Sequence, residues 1–290
     1  MGAFSRSWEI TKLSFAMVGK DKEMLFFPLF ATISSILYLI AMALPSGLLE
    51  LINPESGGAA IGAVQYLVLF LIYFGLAFIA TFFNVCVVYT VKTRFEGGDA
   101  TLMDSLKFAL TKLSVIFQWS LISATVGVLL AMLDRLAERM GGIGGILLKI
   151  VRGMLGMMWS ILTLFVVPTL VYEDISPVDA IKRSTEVIKK TWGESLIRHY
   201  GLGLIQFVCL FVVIGSTIGL MTIVPSGTMI TIVFCAGALA VLITCLVFNV
   251  ANTVFNTALY VFATTGEEPR EFAGGPLESA FLLKDAATES

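Results

Sequence analysis

Apolar residues gather along the chain into six long runs, roughly 26–45, 64–91, 115–133, 144–171, 200–224 and 229–263. Each is long enough to cross a bilayer core as a helix, which takes about 20 residues. Short polar connectors at 46–63, 134–143 and Pro225-Ser226-Gly227 separate first from second, third from fourth and fifth from sixth. The pattern therefore predicts an all-α polytopic membrane protein, with six transmembrane helices in three hairpins. The second helix of each hairpin is longer than a ~30 Å hydrocarbon core requires, so it tilts or projects. Pro168, near the end of the fourth run, predicts a helix kink, because its ring removes one backbone hydrogen bond.

The segments before the hairpins carry a different period. In 176–192, Ser176 suits a helix cap, Pro177 the first helical position, and Asp179 the third residue after the cap. At about 100° per residue, Val178, Ala180, Ile181, Ser184, Thr185, Val187, Ile188, Thr191 and Trp192 share one half. Asp179, Lys182, Arg183, Glu186, Lys189 and Lys190 share the other. This is an amphipathic interfacial helix, apolar half toward the membrane. Weaker copies precede the other hairpins, at Arg6 to Lys12 and from Thr101 with Asp104. Residues 1–290 are thus expected to form one integral membrane domain of three repeats, approximately 4–94, 101–173 and 176–263, followed by a cytoplasmic tail at 264–290.

Composition agrees with a membrane chain: 57% hydrophobic and 14% charged, with mean hydropathy +0.91. A net charge of -2 and the lack of a basic run argue against a nucleic-acid partner. Fifteen of the nineteen Lys and Arg residues fall on the side of the termini, which predicts N and C termini in the cytoplasm. Cys86, Cys209, Cys235 and Cys245 are scattered through apolar stretches and read as small packing residues.

Candidate chemistry is sparse. Asn249, Asn252 and Asn256 recur at i, i+3 and i+7 in the sixth span, with Thr253 beside them, and Asn84 lies in the second. Amides in hydrocarbon need a partner or water. This polar intramembrane stripe serves either inter-helix hydrogen bonding or the lining of a pore or ligand path. Gly215 and Gly219 form a G-x-x-x-G expected to pack against Ala236 and Ala240. Lys182, Arg183, Lys189, Lys190 and Trp192 are expected to face lipid headgroups, partly offset by Asp179 and Glu186. His199 suits a headgroup-level anchor. GGIGG at 141–145 lacks the Lys-Ser or Lys-Thr of a phosphate loop. The residues give no sign of a catalytic constellation, a cofactor or a metal site, and the expectation is a non-enzyme.

RSWEITKLSFAMVGKDKEMLFFPLF, FFNVCVVYTVKTRFEGGDATLMDSLKFA, VVPTLVYEDISPVDAIKRSTEVIKKTWGE and VFNTALYVFATTGEEP together resemble a prokaryotic six-span integral membrane family, domain of unknown function 6159. The resemblance implies the fold and a cytoplasmic (inner) membrane location, and it transfers no activity. The expected function is a membrane scaffold or interaction module, with membrane lipids and a homo-oligomer or other membrane protein as partners. The alternative is a channel or a lipid or small-solute conduit lined by the asparagine stripe.

Overall fold

The computed structural model describes residues 3–43, 63–192, 201–224, 226–269 and 272, with the side chains of 3–11, 43, 63, 190–192, 201 and 204 outside that description. Among the described residues the regular structure is helical, with no strand. In chain order the helices are α1 (Ala3–Lys20), a 3-10 turn (Lys22–Leu25), α2 (Phe26–Ala43), α3 (Ala63–Phe95), α4 (Leu102–Thr111), α5 (Leu113–Met140), α6 (Gly142–Leu162), α7 (Val166–Tyr172), α8 (Pro177–Trp192), α9 (Gly201–Ile223) and α10 (Gly227–Thr265). Six segments are long and apolar enough to cross a membrane: Lys22–Met42, Val64–Phe95, Leu113–Met140, Gly142–Tyr172, Ile205–Ile223 and Gly227–Thr265. The chain has the make-up of a multi-pass membrane protein. Residues 46–62 of the predicted first connector and His199 lie outside the described residues.

Contacts divide the chain into two units, one of Leu29–Tyr89 with Thr101–Glu186 and the other of Met1–Pro28, Thr90–Ala100 and Val187–Ser290. In the first, α5 and α6 form an antiparallel hairpin. Its connector is shorter than the charge pattern predicts. DRLAERM consists mostly of good helix formers, so α5 runs on to Met140. The turn is left to Gly141 and Gly142, whose φ values of 57° and 50° lie in the left-handed region that favours glycine. A Cβ on Gly145 would sit 2.5 Å from the Ala137 carbonyl oxygen, so the hairpin closes by backbone contact just past this turn.

The fourth span does break, but at 163–165, ahead of Pro168. Pro168 is the third residue of α7, inside the first turn, where its missing N–H would have no helical partner in any case. Its ring opposes the carbonyl four residues earlier, at Leu164, and there the bonding tightens. Leu164 N–H reaches Ile161 O at 3.1 Å and Val166 N–H reaches Thr163 O at 3.1 Å. Hydroxyls follow the same path, Thr163 Oγ1 donating to Trp159 O at 2.8 Å and Thr169 Oγ1 to Phe165 O at 2.7 Å.

In the second unit, α1 packs along α10 and also meets α9. Phe15 sets its ring edge-on to Phe248, with centroids 5.0 Å apart. Where α3 ends, Arg94 holds the nearly buried Asp21 carboxylate at 3.1 Å and Asp99 at 2.6 Å. Helices α9 and α10 meet closely, although not through the predicted glycines. A Cβ placed on Gly215 or Gly219 would have nothing within 4 Å, whereas one on Gly237 would lie 2.3 Å from Thr217 Cγ2. The residue between the two glycines is the knob, and Gly237 on the facing helix is the hole. Of the two expected partners, Ala236 is exposed and Ala240 is half-buried.

Candidate functional site

Helix α8 begins as its sequence predicts. Asp179 N–H donates to Ser176 Oγ at 3.2 Å, and the Ser176 hydroxyl donates to Asp179 Oδ2 at 2.7 Å. Lys182 first, then Ser176, holds the Asp179 carboxyl below its ordinary range. The buried stripe is narrower than the hydrophobic half. Pro177, Ala180 and Ser184 are buried, while Val178 is exposed. Small residues at this spacing let α8 approach the fourth span closely, and Ala180 joins Trp119, Val166 and Leu170 in one apolar cluster, with Ile175 and Ile181 packed on it.

A polar contact fixes that seat. At the break in the fourth span the Phe165 N–H donates to Ser184 Oγ at 3.2 Å, both groups buried. A hydrogen bond of this kind contributes about 0.5–1.5 kcal/mol net, and it ties α8 to the span it packs against. Arg183 adds a bond from Nε to Glu173 Oε1 at 2.9 Å and reaches Glu186 at 3.8 Å. Lys182 bonds Asp179 Oδ1 at 2.9 Å. Thus Lys182 and Arg183 are engaged with carboxylates, Lys189 is exposed, and the side chains of Lys190 and Trp192 lie outside the described residues.

Helix α4 repeats this start in full. Asp104 N–H donates to Thr101 Oγ1 at 3.2 Å, and the Thr101 N–H and hydroxyl donate back to Asp104 Oδ2 at 3.2 and 2.6 Å. The Thr101 side chain and backbone together hold the Asp104 carboxyl below its usual range. Beyond α4, Lys112 pairs with Asp174, which turns the chain between α7 and α8 at φ 49°. Asp tolerates that left-handed position better than most residues.

The asparagine stripe divides. Asn249, Asn252, Thr253 and Asn256 lie on the least covered side of α10, Asn249 exposed and the others half-buried, while Phe248, Ala251, Val254 and Ala258 are buried. Thr253 Oγ1 bonds back to Asn249 O at 3.1 Å. The amides of Asn249, Asn252 and Asn256 make no hydrogen bond among the described residues. Asn84, half-buried on α3, belongs to the other unit and has a partner of its own.

A further site gives only a faint sequence signal. A cavity of about 730 Å³ is lined by α5 from Val126 to Arg139, by α6 from Leu155 to Leu162, and by Tyr66 at the start of α3. Its walls are apolar apart from Tyr66, Arg135 and Arg139. Nearby, Arg152 Nε stands 2.8 Å from Asp134 Oδ2, off the N–H direction, as an ion pair without a directed hydrogen bond. Arg135 and Arg139 share a face only because α5 continues through them, so reading 134–143 as a connector hides the pair.

No curated protein and no solved structure matches the chain. The family described as "Family of unknown function (DUF6159)" matches residues 63–270, well over half of the sequence, from the second span through the sixth. Six membrane-length helices accord with a membrane family, and the chain belongs to DUF6159.

Proposed function

We propose that this chain is a non-enzymatic scaffold or interaction module of the prokaryotic cytoplasmic membrane, with both termini in the cytoplasm. The carrying observation is the seat of α8. Ala180 and Ser184 are locked against the fourth span, and Arg183 is tied to Glu173, so the exposed Asp179, Lys182, Glu186 and Lys189 are presented on a fixed platform. A charged face held rigidly loses little side-chain and backbone freedom when a partner docks, which is how preorganisation favours association. The excess of Lys and Arg on the inter-hairpin side supports the orientation. The partner is a second copy of the chain or another membrane protein.

Native mass spectrometry of the protein extracted with its lipids tests this reading. The expected result is an assembly of fixed stoichiometry that Lys182→Glu with Lys189→Glu dissociates, while proteoliposomes of the wild type release trapped solute no faster than empty vesicles. A monomer that conducts solute would overturn it. The second reading, a channel or a lipid or small-solute conduit, draws on the asparagine amides of α10 that lack partners among the described residues. It requires Asn249→Leu, Asn252→Leu and Asn256→Leu together to abolish flux in a folded protein.

A further inference from the structure

The cavity between α5, α6 and the start of α3 has a polarity and a length of its own. From Leu113 to Leu133 on α5, and from Gly153 to Tyr172 through the break, the chain covers about 30 Å at 1.5 Å per residue, the thickness of a hydrocarbon core. The Asp134–Arg152 pair therefore marks the boundary of that core at the hairpin tip, where a charged pair is tolerable. Arg135 and Arg139 come just after it, at headgroup depth, and both are exposed. Neither has a carboxylate within ion-pair reach among the described residues, although Glu138 lies on the same turn. Below them the cavity runs back along α5 to Val126, about 14 Å from Arg135, close to the ~15 Å depth of one leaflet.

The walls are preformed. Leu129, Leu133, Leu155 and Met158 flank the space, and Trp159 at its deep end is stacked on the buried Trp119, with centroids 5.9 Å apart and planes at 11°. Two guanidinium groups at one end of an apolar channel a leaflet deep match a molecule with a long hydrocarbon chain and an anionic head. Arginine suits phosphate in particular, because its planar fork donates two parallel hydrogen bonds.

We propose that this groove binds one anionic phospholipid in the tip-side leaflet, an acyl chain lying along Leu129, Leu133 and Met158, its phosphate held between Arg135 and Arg139. The site is independent of the α8 platform and of the asparagine stripe. Loss of a partner assembly leaves it intact.

Binding is read by native mass spectrometry of delipidated protein returned to vesicles containing dioleoylphosphatidylglycerol and dioleoylphosphatidylcholine in equal amounts. The wild type is expected to retain one phosphatidylglycerol per chain, at least fivefold over phosphatidylcholine, and Arg135→Gln with Arg139→Gln to bring the two lipids to parity. Millimolar glycerol phosphate should leave the retained lipid in place. Equal retention by the wild type, an unchanged preference in the double variant, or displacement by glycerol phosphate would each overturn the assignment. Met158→Trp, which fills the groove away from the arginines, gives a second reading if the double variant does not fold. Retention of phosphatidylglycerol should fall severalfold, and wild-type retention would refute the site.

Discussion

The two hairpins that close the chain are held by different means. Around the hairpin of α5 and α6 the connections are polar: Asp134 with Arg152, Lys112 with Asp174, and the Ser184 hydroxyl of α8 over the Phe165 amide. Between α9 and α10, among the described residues, no ion pair joins the helices, and shape does the holding, with Thr217 seated on Gly237. Lipid tails are as apolar as leucine, so burying apolar surface gives little drive for helices to associate within a bilayer. The α9–α10 hairpin meets that problem with a close fit, and the α5–α6 hairpin adds a paired polar group to its close contact at Gly145. The polar device is used where the chain also has to turn, break and seat α8.

This contrast can be broken most sharply at Gly237. Replacing it with leucine is expected to cost about 3 kcal/mol, since even a Cβ there meets the stiff, β-branched Thr217. Thermal or denaturant unfolding in detergent measures the loss. The companion changes Gly215→Ala and Gly219→Ala face open space and should be neutral, or gain up to about 1 kcal/mol in helix propensity. A large loss from them would reverse the assignment of knob and hole.

A middle-sized effect is expected in the polar hairpin. Ser184→Ala removes the buried hydrogen bond that the Phe165 N–H donates and should destabilise by about 1 kcal/mol. Hydrogen exchange should then quicken at Phe165 itself and along the first turns of α8, with α9 and α10 unchanged. Asp134→Asn is a smaller perturbation. Both partners of that ion pair are about 40% exposed, and such a pair contributes at most about 1 kcal/mol, so a change in unfolding near the limit of detection is expected.

The smallest effect is set by pH at the helix starts. Folding depresses the Asp104 and Asp179 carboxyls below their ordinary value near 3.9. The stabilisation they give is therefore present above that value and lost as pH falls through the folded values. Amide exchange in the first turns of α4 and α8 should rise below about pH 4, and Asp179→Asn should remove the pH dependence in α8 alone.

Much of this architecture can be read from hydrophobic runs, because a membrane span is a property of consecutive residues. The caps at Thr101 and Ser176 are equally legible, since donor and acceptor lie three residues apart. What escapes are features that depend on a second element. A G-x-x-x-G signals that close approach is possible without saying which residue of the facing helix comes near, and here Thr217 between the glycines makes the contact. Pro168 announces a break, yet the location of that break four residues upstream follows from the carbonyl that the ring displaces. The Arg135 and Arg139 pair is invisible while the Gly-rich tip suggests a loop around it. The Ser184 bond to Phe165 has no local signal, as a serine on the apolar side of an amphipathic sequence is ordinary.

That same bond imposes an order in time. Phe165 and Ser184 are separated by 19 positions, and the ribosome adds residues at about 5–20 per second. The fourth span therefore leaves the ribosome before Ser184 exists, and the bond from Phe165 can form only after the start of α8 has been made. For about one to four seconds of synthesis, the bend stands without the bond that seats α8 against it. Arrival of the serine ends this interval, and any change that delays α8 lengthens it.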